Sequence, residues 1–107
     1  MKRTLISATA MLFPLCGPAG AHSPLMSCFE NEDKSVTCEA GYSDGASAAN
    51  QVFRVYDVGG RLLLEGQFGG DSSYTFEAPA IDAYEMEFVG DDSHQITVFS
   101  DEVVPYE

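Results

Sequence analysis

From Leu25 to Phe99 the chain alternates apolar and polar side chains with a period of two, interrupted at short intervals by Gly, Asp, Asn and Ser. Side chains on an extended strand point to opposite faces in turn, so this period buries one face of a sheet. A helix needs apolar positions three and four apart instead. Seven strands are predicted, over residues 25–30, 35–42, 51–58, 61–67, 73–78, 83–89 and 94–99. The sixth is the plainest: Tyr84, Met86 and Phe88 fall on one face, Glu85 and Glu87 on the other. Short strands separated by turn signals predict an all-β chain, a seven-stranded antiparallel β-sandwich of immunoglobulin-like or transthyretin-like kind. Gly59-Gly60 reads as a two-residue turn able to take positive φ, which would pair the third and fourth strands directly. The domain is expected over 22–99, and the acidic tail 100–107 is expected to be loosely held.

Residues 1–21 read as an address. Lys2 and Arg3 precede a short apolar run from Leu5 to Cys16, broken by Pro14, and Ala19-Gly20-Ala21 supplies the small residues of a signal-peptidase site. Cleavage after Ala21 would leave His22 as the new N-terminus and place the mature chain in the periplasm or outside the cell. Cys16 does not read as a lipoprotein cysteine, because Leu15 occupies the position where a small residue is needed. Cys28 and Cys38 remain, and in an oxidising compartment two cysteines most simply form one disulfide. They lie symmetrically about Asp33, so a hairpin of the first two strands sets them opposite each other. Two free thiols or a metal-binding pair are the alternative, although the spacing fits neither zinc-finger nor redox motifs.

The whole chain carries 5 basic and 17 acidic side chains. Without Lys2 and Arg3 the remaining cations are Lys34, Arg54 and Arg61, so residues 22–107 carry 3 minus 17, or -14. Nucleic acid and anionic lipid both require clustered Lys or Arg and are not expected partners. No apolar stretch is long enough to span a bilayer, so direct membrane insertion is not expected either. The acidic excess reads either as a field that gathers cations or, the plainer reading for most of these charges, as solubility of a thin-cored domain.

Two histidines remain after the expected cleavage, His22 and His94. At a processed terminus His22 offers an α-amine and an imidazole on one residue, which together chelate a metal ion. If strands alternate up and down, the N-terminus lies at the end that receives the second–third, fourth–fifth and sixth–seventh loops. That end gathers His22, His94, Asp91 and Asp92, with Asp44 and Asp71 in the neighbouring loops. An amine and two imidazoles form a T-shaped, three-nitrogen histidine brace, which suits Cu(II) first and Ni(II) next. The candidate metal ligands are therefore His22, His94, and one of Asp91 and Asp92, with a copper ion as the expected cofactor and nickel or cobalt as the alternative. An amino-terminal tripeptide site is excluded, because Pro24 stands where such a site needs His. The plainer alternative leaves His22 an incidental terminus and His94 a solvated loop residue. Met26 could give a thioether to Cu(I), but a lone Met near a strand start usually belongs to the core.

The stretch from Val52 through Gly66, with Tyr74-Thr75-Phe76 after it, resembles the strand–Asp–Gly–strand–Gly–aromatic pattern of carboxypeptidase-regulatory-type sandwich domains. With a leader ending in Ala-His and a late Gly90…His94 turn, the chain is similar to periplasmic domains of nickel/cobalt uptake accessory proteins of the NikL/CbiL kind, and to small copper-binding sandwiches typified by CopC. The resemblance implies a periplasmic metal-binding β-sandwich. Its expected function is carriage, buffering or delivery of a metal ion, copper preferred, to a membrane transporter or a metalloprotein recipient. Two alternatives stand beside it: a nickel/cobalt uptake accessory domain, and a metal-free envelope interaction module that pairs a partner along an edge strand. No enzyme is expected and no catalytic residues are assigned. Glu85 and Glu87 alternate on a strand without a cleft, and Ser93 directly precedes His94, which does not give a nucleophile–base arrangement.

Overall fold

A computed structural model describes residues 22–91 and 95–107. The expected leader, Cys16, Asp92, Ser93 and His94 lie outside the described residues. Seven strands follow in chain order: β1 (Pro24–Glu30), β2 (Ser35–Tyr42), β3 (Val52–Asp57), β4 (Leu62–Gln67), β5 (Ser73–Glu77), β6 (Tyr84–Val89) and β7 (Gln95–Phe99). All pairings are antiparallel, within a three-stranded sheet β1-β2-β5 and a four-stranded sheet β4-β3-β6-β7. The two sheets pack as a β-sandwich, as the period of two requires.

The inward positions make the core. Val36, Cys38 and Tyr42 of β2 and Phe76 of β5 face Phe53, Val55, Met86, Phe88 and Val98 of the opposite sheet, and all are buried. Phe68, in the crossing from β4 to β5, fills the space between Phe53 and Phe88 at ring distances of 5.4 and 5.2 Å. Met26 packs at the margin of this core and Met86 lies at its centre. Cys28 and Cys38 are register partners in the β1–β2 hairpin, with Cα atoms 4.1 Å apart, and are joined by a buried disulfide. Closing a loop of this length removes enough unfolded-state freedom to contribute about 2–3 kcal/mol.

Three turns share one construction. Asn31·Ser35, Asp57·Arg61 and Gly69·Ser73 each close a three-residue loop in which the amide of the last loop residue donates back to the first carbonyl. That last residue has positive φ: Lys34 at 77°, Gly60 at 91°, Ser72 at 64°. An Asp side chain braces each loop by accepting the next strand's amide: Asp33 from Ser35, Asp57 from Arg61 and Asp71 from Ser73. The β3–β4 connection is therefore not the two-residue turn expected at Gly59-Gly60. Asp57 is the better brace for a type I turn, so Val58 and Gly59 form its centre and Gly60 alone takes the left-handed position.

The tail also departs from expectation. Ser100–Glu102 form a 3-10 turn, after which Val104 lies parallel to β1 beside Phe29. Glu30 N–H donates to the Val104 carbonyl (2.8 Å) and Val104 N–H to the Cys28 carbonyl (3.0 Å). Val103 packs on the core and Tyr106 N–H donates to the Glu30 carboxylate. The acidic residues 101 and 102 mask an apolar Val-Val pair that an open β1 edge can use.

Candidate functional site

Antiparallel pairing throughout brings the start of β1, the β2–β3 loop and the β6–β7 loop to one end of the sandwich. The His22 ring lies there. Its Nδ1 stands 2.8 Å from Asp44 Oδ2, in the β2–β3 loop, and its Nε2 stands 3.4 Å from Asp91 Oδ2, after β6. The ring stacks on Tyr42, with centroids 4.1 Å apart and planes 10° from parallel. Tyr42 is itself fixed: it is buried, its hydroxyl donates to Gln51 Oε1 at 2.6 Å, and its ring meets Phe88 edge-on at 5.5 Å. Ser23 N–H donates to Ser43 Oγ, and Ser43 N–H to the Ser23 carbonyl, so Ser43, together with Asp44, holds the segment that carries His22.

Asp44 is held in position by its other oxygen, which accepts the Ala46 amide at 3.0 Å. Gly45 beside it takes φ +91°, the conformation that lets the loop double back. The electrostatics follow from these contacts. The hydrogen bond to Asp44 holds the His22 imidazolium above the ordinary histidine range, with Asp91 adding to the effect. The same bond, with the Ala46 amide, holds the Asp44 carboxyl below the ordinary range.

Sequence reasoning on loop parity brought His22, Asp44 and Asp91 to one end, and the structure brings these three together. Asp71 is engaged instead with its own loop, accepting from Ser73 N and Ser73 Oγ. Asp92 and His94 lie outside the described residues. Among the described residues, no group of three or more His, Cys, Asp or Glu side chains is placed to hold a metal ion. The Tyr42 platform was not anticipated. Its signal was the aromatic residue at the last inward position of β2, where a strand end meets the N-terminal segment.

Fold and site together define a small, disulfide-linked β-sandwich in which His22, just before β1, is clasped between two loop carboxylates. No family model matches the chain, and neither the curated proteins nor the solved structures contain a significant match to it.

Proposed function

We propose that residues 22–107 form an exported domain that binds one divalent metal ion at the His22 end, Cu(II) in preference, and carries, buffers or delivers it. The observation that supports this reading is the clasped imidazole, with a carboxylate at each ring nitrogen and an aromatic floor beneath. Once the bond to Ala21 is cut, the α-amine and Nδ1 of His22 close a six-membered chelate ring. Asp44 Oδ2 shares a hydrogen bond with Nδ1 at 2.8 Å, so it is within reach of an ion that replaces that proton. Asp91 sits on the opposite nitrogen. Its role in this reading is to accept a hydrogen bond from Nε2–H and fix the ring, the usual outer partner of a metal-bound histidine. His94, with Asp92 beside it, is the proposed source of the second imidazole that completes the brace.

Nitrogen donors in a tetragonal set favour copper, then nickel. The charge of -14 over residues 22–107 draws cations toward the domain. Delivery would be to a transporter or a metalloprotein in the same compartment.

The test is calorimetry and EPR on protein that begins at His22. One equivalent of Cu(II) should bind with an axial, nitrogen-rich spectrum. Binding should be lost in His22→Ala and in a form extended before His22, and weakened at least tenfold in Asp44→Asn and in His94→Ala. Undiminished binding in the extended form would overturn the amine chelate. Absence of binding to the trimmed protein would overturn the metal reading altogether.

A further inference from the structure

The sandwich has two flanks where the sheets part, and they are finished differently. On one, β1 faces β7 and the chain's own tail covers part of the gap: Val104 pairs with the β1 edge and Val103 packs on the core, leaving a groove of about 270 Å³ between β1 and β7. On the other, β4 faces β5 and nothing of the described chain covers it. Tyr74 seals the upper part by lying over Gly66, where an added Cβ would meet Tyr74 Cε2 at 2.5 Å. Below that seal a groove of about 360 Å³ opens toward the core, lined by Val55, Leu63, Leu64, Phe76, Pro79 and Ile81. Ile81 is 45% exposed, and Leu62 and Val58 on the adjoining hairpin are 48% and 68% exposed.

We propose that this flank docks an extended segment of a partner protein, apolar at alternate positions and carrying Lys or Arg between them, as a strand added beside β5. Three observations select that occupant. First, on the opposite flank the tail already bonds its main chain to the β1 edge at Val104 while Val103 packs on the core, so edge bonding combined with an inward apolar side chain is realised in this fold. Second, the two edges are unequal. β4 carries a bulge at Leu63, opposite Val55 and Tyr56 of β3, and a bulge obstructs strand addition; β5 pairs with β2 without any shift and has no second neighbour among the described strands. Third, the charge is one-sided. Arg61 beside the groove is engaged by Asp57, whereas Glu77 on β5 and Asp82 next to Ile81 have no cationic partner among the described residues. A second copy of this chain brings another -14 and is repelled, while a basic segment is drawn in and paired. Main-chain bonds along an edge supply affinity in this mode and the side-chain groove supplies selectivity. The inference is independent of metal binding.

The test uses the disulfide-bonded protein and a blocked nine-residue peptide alternating valine and lysine, followed by amide chemical shifts and calorimetry. Saturable shifts are expected along β5 and at Leu63, Leu64 and Ile81. The Ile81→Asp variant separates the proposal from simple charge attraction, because it removes an apolar contact while adding a negative charge. Affinity should fall at least tenfold, with the fold unchanged since Ile81 is half exposed. Glu77→Lys should weaken binding as well. Equal or tighter binding by Ile81→Asp, shifts spread over the whole acidic surface, or no saturable binding would each overturn the proposal. So would concentration-dependent dimerisation protecting the same residues, which would assign the flank to a second copy.

Discussion

His22 gains its character from partners rather than from burial. Its ring keeps substantial contact with solvent, yet Asp44 and Asp91 flank both nitrogens and raise its pKa above the ordinary value near 6.5. A group whose pKa is higher in the folded state stabilises the fold fully below its unfolded pKa. That contribution fades as pH rises through the folded value. A titration of the His22 ring protons by NMR should therefore give a midpoint above 6.5, and Asp44→Asn should move it downward, more than Asp91→Asn does. The clasp at the N-terminal segment should be tightest in mildly acid solution. Any metal bound through Nδ1 competes with the same proton, so its affinity should climb as pH passes through that midpoint. Gly66 poses the opposite problem, a contact too close for any side chain. Gly66→Ala should cost about 1–3 kcal/mol in a denaturant melt, and Tyr74→Leu in the same chain should recover part of it, because the obstructing ring is then gone. Neither Tyr74 over Gly66 nor Tyr42 under His22 was legible in the sequence. Both join residues of different elements, and alternation says which face a side chain takes, not what it meets there.

At the scale of elements, alternation served well because the forces behind it are local. An inward face of Val, Cys, Phe and Met cannot be moved to solvent by a one-residue slip without exposing the whole face. The strands consequently begin and end within about a residue of their expected limits, and Cys28 opposes Cys38 as the hairpin symmetry required. The misreadings were of chain that is not alternating. The three-residue loop at 58–60 depends on the Asp57 carboxylate, and the docked tail depends on a distant β1 edge. Once the shared loop construction is recognised, it makes a prediction of its own. Lys34 holds the left-handed position that Gly60 holds in the equivalent loop, and its exposed side chain makes no hydrogen bond or ion pair among those described. A side chain there costs about 1–2 kcal/mol of backbone strain, partly offset in the glycine variant by the greater freedom of the unfolded chain. Lys34→Gly should stabilise the protein by roughly 0.5–1 kcal/mol, measured by urea denaturation at constant m-value. Ser72→Gly should gain less or nothing, since the Ser72 hydroxyl bonds Ser47 Oγ and the Ala48 amide.

For the molecule as a whole, the imbalance of charge is the dominant long-range term. Seventeen carboxylates and three cations share a small sandwich in residues 22–107, and the ion pairs among the described residues are confined to His22, Arg54 and Arg61. Salt acts on both kinds of interaction. It weakens those few exposed pairs, which contribute little to stability in any case, and it screens a repulsion summed over many like charges that folding brings closer together. Repulsion outnumbers attraction here, so the second effect should prevail. Raising sodium chloride from about 0.02 to 0.5 M shortens the screening length from roughly 20 to 4 Å, and the Tm of the metal-free protein at neutral pH should rise. Each kcal/mol of repulsion removed is worth about 4–8 °C for a domain of this size, so the rise should be several degrees and easily read by circular dichroism. The same experiment at pH 4, where many carboxylates have taken up a proton, should show a smaller increment. A Tm that fell with salt at neutral pH would mean that the clasp at His22 and the two arginine pairs outweigh the net field, and that the acidic excess is arranged rather than merely tolerated.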